Sequence, residues 1–181
     1  MEIRTIDFST ANTVGNNFTL ADGADGSLEL SGSTWGTGAV HTLEETIRAC
    51  DIVTMTIRCK SSDKNFGAAI LYFNGSDTVY YLNPQGISDD SVIGKFVDSA
   101  GYTVLTLDFG KYLEKVGDML HLKSIYLKSN SASFVASYDY ISFELTTMAD
   151  RLLRAKEDLD AAYQAGYNKG YEDGLNAQEE I

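Results

Sequence analysis

The 181-residue chain is 44% hydrophobic, 22% charged and 11% aromatic, with a single proline, which suits one globular domain of about 100–150 residues plus an appendage. Its 14 Lys and Arg stand against 26 Asp and Glu, a net charge of −12. That balance repels phosphate backbones and excludes nucleic-acid binding through a basic footprint. No run approaches the roughly 18–20 apolar residues of a membrane-spanning helix, so insertion by that route is excluded as well. The opening MEIRTIDFST lacks the basic start and apolar core of a secretory leader, and export by that route is not expected.

From Met1 to Thr147 the chain reads as short runs rich in Ser, Thr, Gly, Val, Ile and Tyr, separated by turn residues. Strands are predicted over 2–8, 17–20, 27–31, 39–43, 52–59, 68–73, 78–82, 103–109, 122–128 and 138–145. Turn chemistry separates them at Asp22-Gly23-Ala24-Asp25-Gly26, at Asn74-Gly75-Ser76-Asp77 and over 129–133. In the fifth run Val53, Met55, Ile57 and Cys59 share one face and Thr54, Thr56 and Arg58 the other. The run at 103–109 places Leu105, Leu107 and Phe109 together. The last run places Ile141, Phe143 and Leu145 together, with Asp139 at the head of the same face. Alternation of period two buries one face of each strand and wets the other. Some ten short antiparallel strands of this kind predict a mainly β fold, a two-sheet sandwich of jelly-roll type.

From Met148 to Ile181 the pattern changes. Ala, Leu and charged residues favour a helix, with Leu152, Leu153, Leu159, Ala162 and Tyr163 roughly on one side. Gly166, Gly170 and Gly174 then recur every fourth residue, as do Tyr163, Tyr167, Tyr171 and Leu175. On a helix each set forms a slowly drifting stripe. Each glycine costs about 1 kcal/mol against Ala, so the segment is either a flexible acidic tail or a helix completed by close approach of a partner. The second reading makes Leu152, Leu159, Tyr163, Gly166, Tyr167, Gly170, Tyr171 and Gly174 an oligomerisation stripe, with a further copy of the chain as partner. The division is thus 1–147, a β-sandwich domain, and 148–181, a helical segment for oligomerisation or anchoring.

Catalytic machinery is missing from the pattern. The two histidines, His41 and His121, lack metal-ligand spacing and an obvious acid partner. Ser61-Ser62-Asp63-Lys64 carries Ser-x-x-Lys spacing without the other motifs of acyl-serine enzymes. Phosphate-loop and dinucleotide fingerprints do not occur. The chain is read as a non-enzyme that requires no cofactor. Cys50 and Cys59 bracket one strand, which holds them about 30 Å apart against a disulfide limit of about 7 Å, so both are expected reduced. That suits a reducing cytoplasm.

Two resemblances add to this. The run Ala136-Ser137-Tyr138-Asp139-Tyr140-Ile141-Ser142-Phe143-Glu144-Leu145 resembles the final strand of carbohydrate-binding-module jelly rolls. Leu105-Thr106-Leu107-Asp108-Phe109-Gly110 and Ile125-Tyr126-Leu127 resemble the strands before it. In several such families the Asp of an Asp-Tyr-Ile pattern ligates a structural calcium near the first strand. The resemblance therefore implies a Ca²⁺ site of Asp139 with Asp7 or Glu29; the other reading is a strand-edge Asp bonded to backbone amides. Sugar stacking on aromatics is a further reading: from Trp35, Tyr72, Tyr80, Tyr81, Tyr126, Tyr138 and Tyr140 the chosen candidates are Trp35, Tyr72, Tyr80 and Tyr126, the other reading being tyrosines that cap the core or form subunit contacts. The run Tyr163-Gln-Ala-Gly166-Tyr167-Asn-Lys-Gly170-Tyr171-Glu-Asp-Gly174 resembles the Gly-Tyr repeats that end phage virion proteins, and its glycine spacing also resembles flagellar export-apparatus stalks. The leading expectation is a structural phage protein, a head decoration, fibre or tail attachment component assembled in the bacterial cytoplasm. It would contact other virion proteins, copies of itself and a cell-surface glycan. The alternatives are a carbohydrate-binding module and a bacterial scaffolding protein.

Overall fold

The computed structural model describes residues 1–15, 18–32, 39–62, 69–74, 79–116, 119–129 and 135–179. Two compact units divide the chain, Glu2–Leu145 and a second made of Met1 with Thr146–Ile181. The strands of the first unit are β1 (Glu2–Asp7), β2 (Phe18–Asp22), β3 (Leu28–Gly32), β4 (Ala39–Arg48), β5 (Ile52–Ser61), β6 (Ala69–Asn74), β7 (Val79–Leu82), β8 (Val92–Val97), β9 (Thr103–Asp108), β10 (His121–Ser129) and β11 (Ala136–Leu145). A 3-10 turn, Ala49–Asp51, joins β4 to β5, and helix α1 (Phe109–Val116) follows β9.

Among the described residues these strands form two antiparallel sheets, as the alternation predicts. The larger has seven strands in the order β2-β3-β11-β5-β9-β8, with β1 also paired to β11; the smaller runs β4-β10-β6-β7. One edge of β11 is shared: Tyr140–Leu145 pair with β1 and Ala136–Tyr138 with β3. The core between the sheets joins Leu28, Leu30, Met55, Ile57, Leu105, Leu107, Ile141 and Phe143 of the larger sheet to Leu43, Ile47, Phe73, Leu122, Ile125 and Leu127 of the smaller. Tyr138, fully buried on β11, ties the layers with its phenol, which donates to the Lys128 carbonyl and accepts the Lys128 N–H on β10. Edge-to-face contact of Phe8 with Tyr138 at 6.3 Å closes the same region.

Two β-bulges correct the parity read from the sequence. Leu145 faces Ile52 while Glu144 faces Thr54, so Val53 is the extra residue. Ile52, at 4% exposure, takes the core position expected of Val53. The second bulge lies between Tyr138 and Tyr140, which face Cys59 and Arg58. Asp139 is therefore the extra residue and leaves the apolar face on which strict alternation places it.

Helix α1 corrects the end of the eighth predicted strand, 103–109. Phe109, Tyr112, Leu113 and Val116 follow i, i+3, i+4, i+7 spacing and pack on the core. The Asp108 carboxylate caps the helix by accepting the Lys111 N–H at 3.1 Å. Phe109 is buried as expected, but from a helix, where it meets Phe73 edge-to-face at 6.5 Å. Strand β8, unpredicted because a bulge at Ile93 and Gly94 breaks its alternation, closes one edge of the larger sheet.

In the second unit, helix α2 (Met148–Glu179) spans 32 residues. It starts on a reciprocal capping box: Thr147 Oγ1 accepts the Asp150 N–H, and the Asp150 carboxylate accepts the Thr147 N–H, both at 3.2 Å. No helix among the described residues is long and apolar enough to cross a membrane. Both cysteines are free; Cys50 is exposed and Cys59 buried, where burial pushes the thiol up to about 12.

Candidate functional site

The smaller sheet sets its residues in cross-strand rows, and the rows decide which aromatics share a face. Ile125 and Leu127 of β10 are fully buried. Tyr126, between them, belongs to the opposite, outward face and is half-buried. It faces Val40 on β4 and Tyr72 on β6, and Tyr72 in turn faces Tyr81 on β7. Directly opposed residues lie on the same side of a pleated sheet, so Tyr126, Tyr72 and Tyr81 form one row across three strands. The neighbouring outward rows hold Ser124 with Thr42 and Asn74, and Lys128 with Ile70. Three tyrosine positions in one cross-strand row are a composition suited to a sugar, whose apolar C–H faces stack on aromatic rings.

Of the expected glycan residues, Tyr72 and Tyr126 are brought together here. Tyr80 is not, because it faces the fully buried Phe73 and so belongs to the core-facing row. Tyr81 takes its place. The Tyr80-Tyr81 pair gives no hint of its parity; only the register against β6 decides it. Trp35 lies outside the described residues.

The outward face of the larger sheet also carries an aromatic, but a closed one. Tyr102 is fully buried, with the Arg58 guanidinium carbon 3.9 Å and the Lys60 ammonium 4.0 Å from its ring centroid. Its hydroxyl donates to Asp25 at 2.7 Å, and Lys60 pairs with the same carboxylate oxygen at 3.2 Å. Arg58 is held by Asp98 at 2.7 Å and by Asp139 at 2.5 Å. Asp98 also accepts the N–H groups of Ala100 and Tyr102. Hydrogen bonds from Ser27 and then Tyr102 hold the Asp25 carboxyl far below the usual carboxylate range. Burial works against the Arg58 charge, but its two carboxylate partners raise its pKa overall. Every group here is answered by another, so the cluster is a lock that fixes the 22–27 and 98–102 turns to β5 and β11.

This lock also accounts for Asp139. Released from the apolar face by its bulge, it is the counterion of Arg58. Among the described residues no three His, Cys, Asp or Glu side chains form a group suited to a metal ion, and Asp7, Glu29 and Asp139 are not gathered into one. Asp7 faces Tyr140 at the β1 edge, whereas Glu29 faces Ser137 on β3.

Two concavities lie elsewhere on this unit. One, of about 540 Å³, runs along β1 and β4 and is lined by Arg4, Asp7, Ser9, Asn12, His41 and Glu44 among others. Its His41 Nδ1 is 2.9 Å from the Asn12 carbonyl, and burial holds its pKa below the ordinary histidine value. The other, of about 460 Å³, lies beside the β8 edge and is lined by Gln85, Lys95, Phe96, Val97, Gly101 and Thr103.

The residues expected to form an oligomerisation stripe all fall within α2. Leu152, Leu159, Tyr163, Tyr167 and Tyr171 are all 62–70% exposed. A Cβ added at Gly166 or Gly170 would meet nothing within 4 Å. Gly174 falls within α2 by its position in the sequence.

Neither a protein-family model nor a curated protein matches the chain. Among solved structures it is similar to a low-affinity xylan-binding module, CBM86, from the gut symbiont Roseburia intestinalis. That match has a TM-score of 0.50 at 15% identity, over 81% of this chain and 97% of the module. A second similarity, to CsCBM6-3 from Clostridium stercorarium in complex with cellobiose, reaches a TM-score of 0.41 at 14% identity, over 79% of this chain and 94% of that one. The first match shows the fold, a β-sandwich of carbohydrate-binding-module type.

Proposed function

We propose that the Glu2–Leu145 unit is a non-catalytic glycan-binding module whose binding face is the outward side of the β4-β10-β6-β7 sheet. The observation that carries this reading is the cross-strand row of Tyr126, Tyr72 and Tyr81. It supplies aromatic positions along a line of three strands about 4.8 Å apart, a run suited to a chain of sugar rings. The fold it shares with the Roseburia module supports the same reading and makes xylan the first polysaccharide to try. The virion role suggested by the Gly-Tyr repeat has no structural observation behind it, and glycan binding replaces it as the leading reading.

Retardation of the full chain in native gels containing soluble xylan, mixed-linkage β-glucan, mannan or galactan tests the proposal. Retardation by at least one polysaccharide is expected, with about tenfold weaker binding for Tyr126→Ala, as the loss of one anchoring aromatic implies. No retardation in any gel, or retardation that Tyr126→Ala leaves unchanged, would reject the face.

A second reading concerns α2 alone. Helix α2, about 48 Å long, leaves Leu152, Leu159, Tyr163, Tyr167 and Tyr171 more than half exposed among the described residues. We propose that a second copy of the helix covers it and makes the binding module multivalent, raising avidity without new glycan contacts. Gly170→Leu improves helix propensity but obstructs close approach. Weaker association of that variant by sedimentation supports the pairing; unchanged association rejects it.

A further inference from the structure

The concavity along β1 and β4 lies where the sandwich is open at its side. Among the described residues β1 pairs with β11 alone, and β4 is the last strand of the smaller sheet. Arg4 faces Phe143 across the first pair, and His41 faces Ile125 of β10. Phe143 and Ile125 are fully buried, so Arg4 and His41 both stand on the inner faces of their sheets, at the rim of the space between them. Each is half-buried, and the cleft they border has a volume of about 540 Å³. Buried Ile6, Phe8 and Leu43 form its floor. On β4 the register slips between Thr42 and Ile47, where residues 43–46 span Lys123 of β10. That bulge carries the exposed Glu44 onto the same rim.

The polar groups of this rim are not answered by the protein. Of the unit's three arginines, Arg48 pairs with Asp51 at 3.9 Å and Arg58 holds Asp98 and Asp139. The Arg4 guanidinium and the Glu44 carboxylate have neither an ion pair nor a hydrogen bond among the described residues. His41 is committed at one nitrogen. Its Nδ1 lies 2.9 Å from the Asn12 carbonyl, which makes Nδ1 the N–H donor and leaves Nε2 an acceptor. Burial, and after it the Arg4 charge, holds the His41 pKa below the ordinary value, against the Asn12 carbonyl and the Glu44 charge. The ring is therefore neutral at pH 7, with Arg4 and Glu44 both close enough to act on it. One cation and two acceptors, drawn from two sheets, converge on one cleft.

A molecule that answers all three brings a carboxylate to Arg4, whose planar fork takes carboxylates at two points. It also brings neighbouring hydroxyl or ammonium donors to His41 Nε2 and Glu44. A bare anion meets the Glu44 charge and leaves Nε2 unpaired, and a neutral sugar leaves the guanidinium without a counterion. We infer that this cleft binds a carboxylate flanked by hydroxyls, the acid end of a uronic-acid unit or of a free sugar acid. The choice of hydroxyls over ammonium rests on the glycan-binding reading. The carboxylate rests on Arg4 and is independent of the tyrosine row.

Titration of the isotope-labelled full chain with glucuronate, galacturonate and gluconate, beside glucose and galactose, tests it by NMR. At least one acid should shift the Arg4 Nε–H and the His41 ring signals, and the two neutral sugars at equal concentration should not. Arg4→Gln should weaken that binding about tenfold, as the loss of a charge-assisted fork implies. It should unfold in urea as wild type does, since Arg4 has no protein partner to lose. His41→Phe keeps a ring beside Phe8 but removes the Nε2 acceptor, and should also weaken binding. Tyr126→Ala should leave it intact. A uronic-acid-bearing oligosaccharide that reproduces the shifts would assign the ligand to polysaccharide; shifts confined to the free acids would assign it to soluble sugar acids. Silence with all three acids, equal shifts from glucose or galactose, shifts that survive Arg4→Gln, or tighter binding of serine than of any of the acids would overturn the inference. Polysaccharide retardation that depends on Tyr126 while the cleft stays silent would remove the cleft alone. Acid binding without retardation in any gel would remove the tyrosine face and leave the cleft.

Discussion

The two outward faces of the sandwich use the same materials to opposite ends. On the larger sheet a tyrosine, two cations and three carboxylates are fully engaged with one another, and Tyr102 is sealed from water. On the smaller sheet three tyrosine positions stand in a row across β10, β6 and β7, with Tyr126 half-buried at one end. An aromatic beside a cation is therefore no sign of a binding site by itself. The sign is whether the groups around it already satisfy each other: the closed face stabilises the fold, and the tyrosine row is the face proposed for a ligand.

If that contrast is right, the largest effect belongs to the closed face. Arg58→Ala leaves Asp98 and Asp139 without their counterion and uncovers Tyr102, and should cost about 3 kcal/mol in urea unfolding. Polysaccharide retardation at a temperature where the variant stays folded should be unchanged. A variant that is as stable as wild type but fails to bind would invert the assignment of the faces.

Tyr126→Ala should show the mirror image, about tenfold weaker binding with unfolding shifted by less than about 1 kcal/mol. A large stability loss would mean that the row serves packing instead.

The comparison extends to the helix with a smaller effect. Thr147→Ala removes one half of the capping box and should cost α2 about 1 kcal/mol, read as lost helicity by circular dichroism, while the sandwich unfolds as before. Unfolding of the sandwich at lower denaturant would show that the two units do not unfold independently.

The smallest effect is electrostatic. The Asp25 and Asp98 carboxyls are depressed in the folded state, so the stability they add is present above the unfolded carboxylate value near 4 and is lost as pH falls through their lower folded values. Melting temperature should hold between pH 7 and about 4 and then fall. Asp25→Asn should flatten part of that acid limb, modestly because the site is partly exposed. An acid limb identical to wild type would detach Asp25 from the lock.

Much of the frame was legible in the chain. Alternation in the runs around Met55–Cys59, Leu105–Leu107 and Ile141–Phe143 marks strands that each bury one face, because a strand has only two sides and one must be apolar. The change of period at Met148 marks α2, and the Asp22–Gly26 turn chemistry marks the β2–β3 hairpin. Helix α1 was legible too: Asp108 and the spacing of Phe109, Tyr112, Leu113 and Val116 are a cap and an amphipathic face, overshadowed by the alternating strand that runs into them.

Pairing was not legible. Asp139 belongs to Arg58 because a bulge displaces it, and a bulge is decided by the register of the partner strand. Tyr81 rather than Tyr80 joins Tyr126 because β6 and β7 meet at Tyr72. Arg4 and His41 line one cleft because the edge strands of two different sheets meet at the open side of the sandwich. By itself the sequence determined most of the strands, the long C-terminal helix and much of the core, since burial periodicity is a local property, while β8 and α1 escaped it. The tertiary structure alone decided which side chains answer one another and which remain open, because that depends on the meeting of residues as far apart as Asp25 and Tyr102.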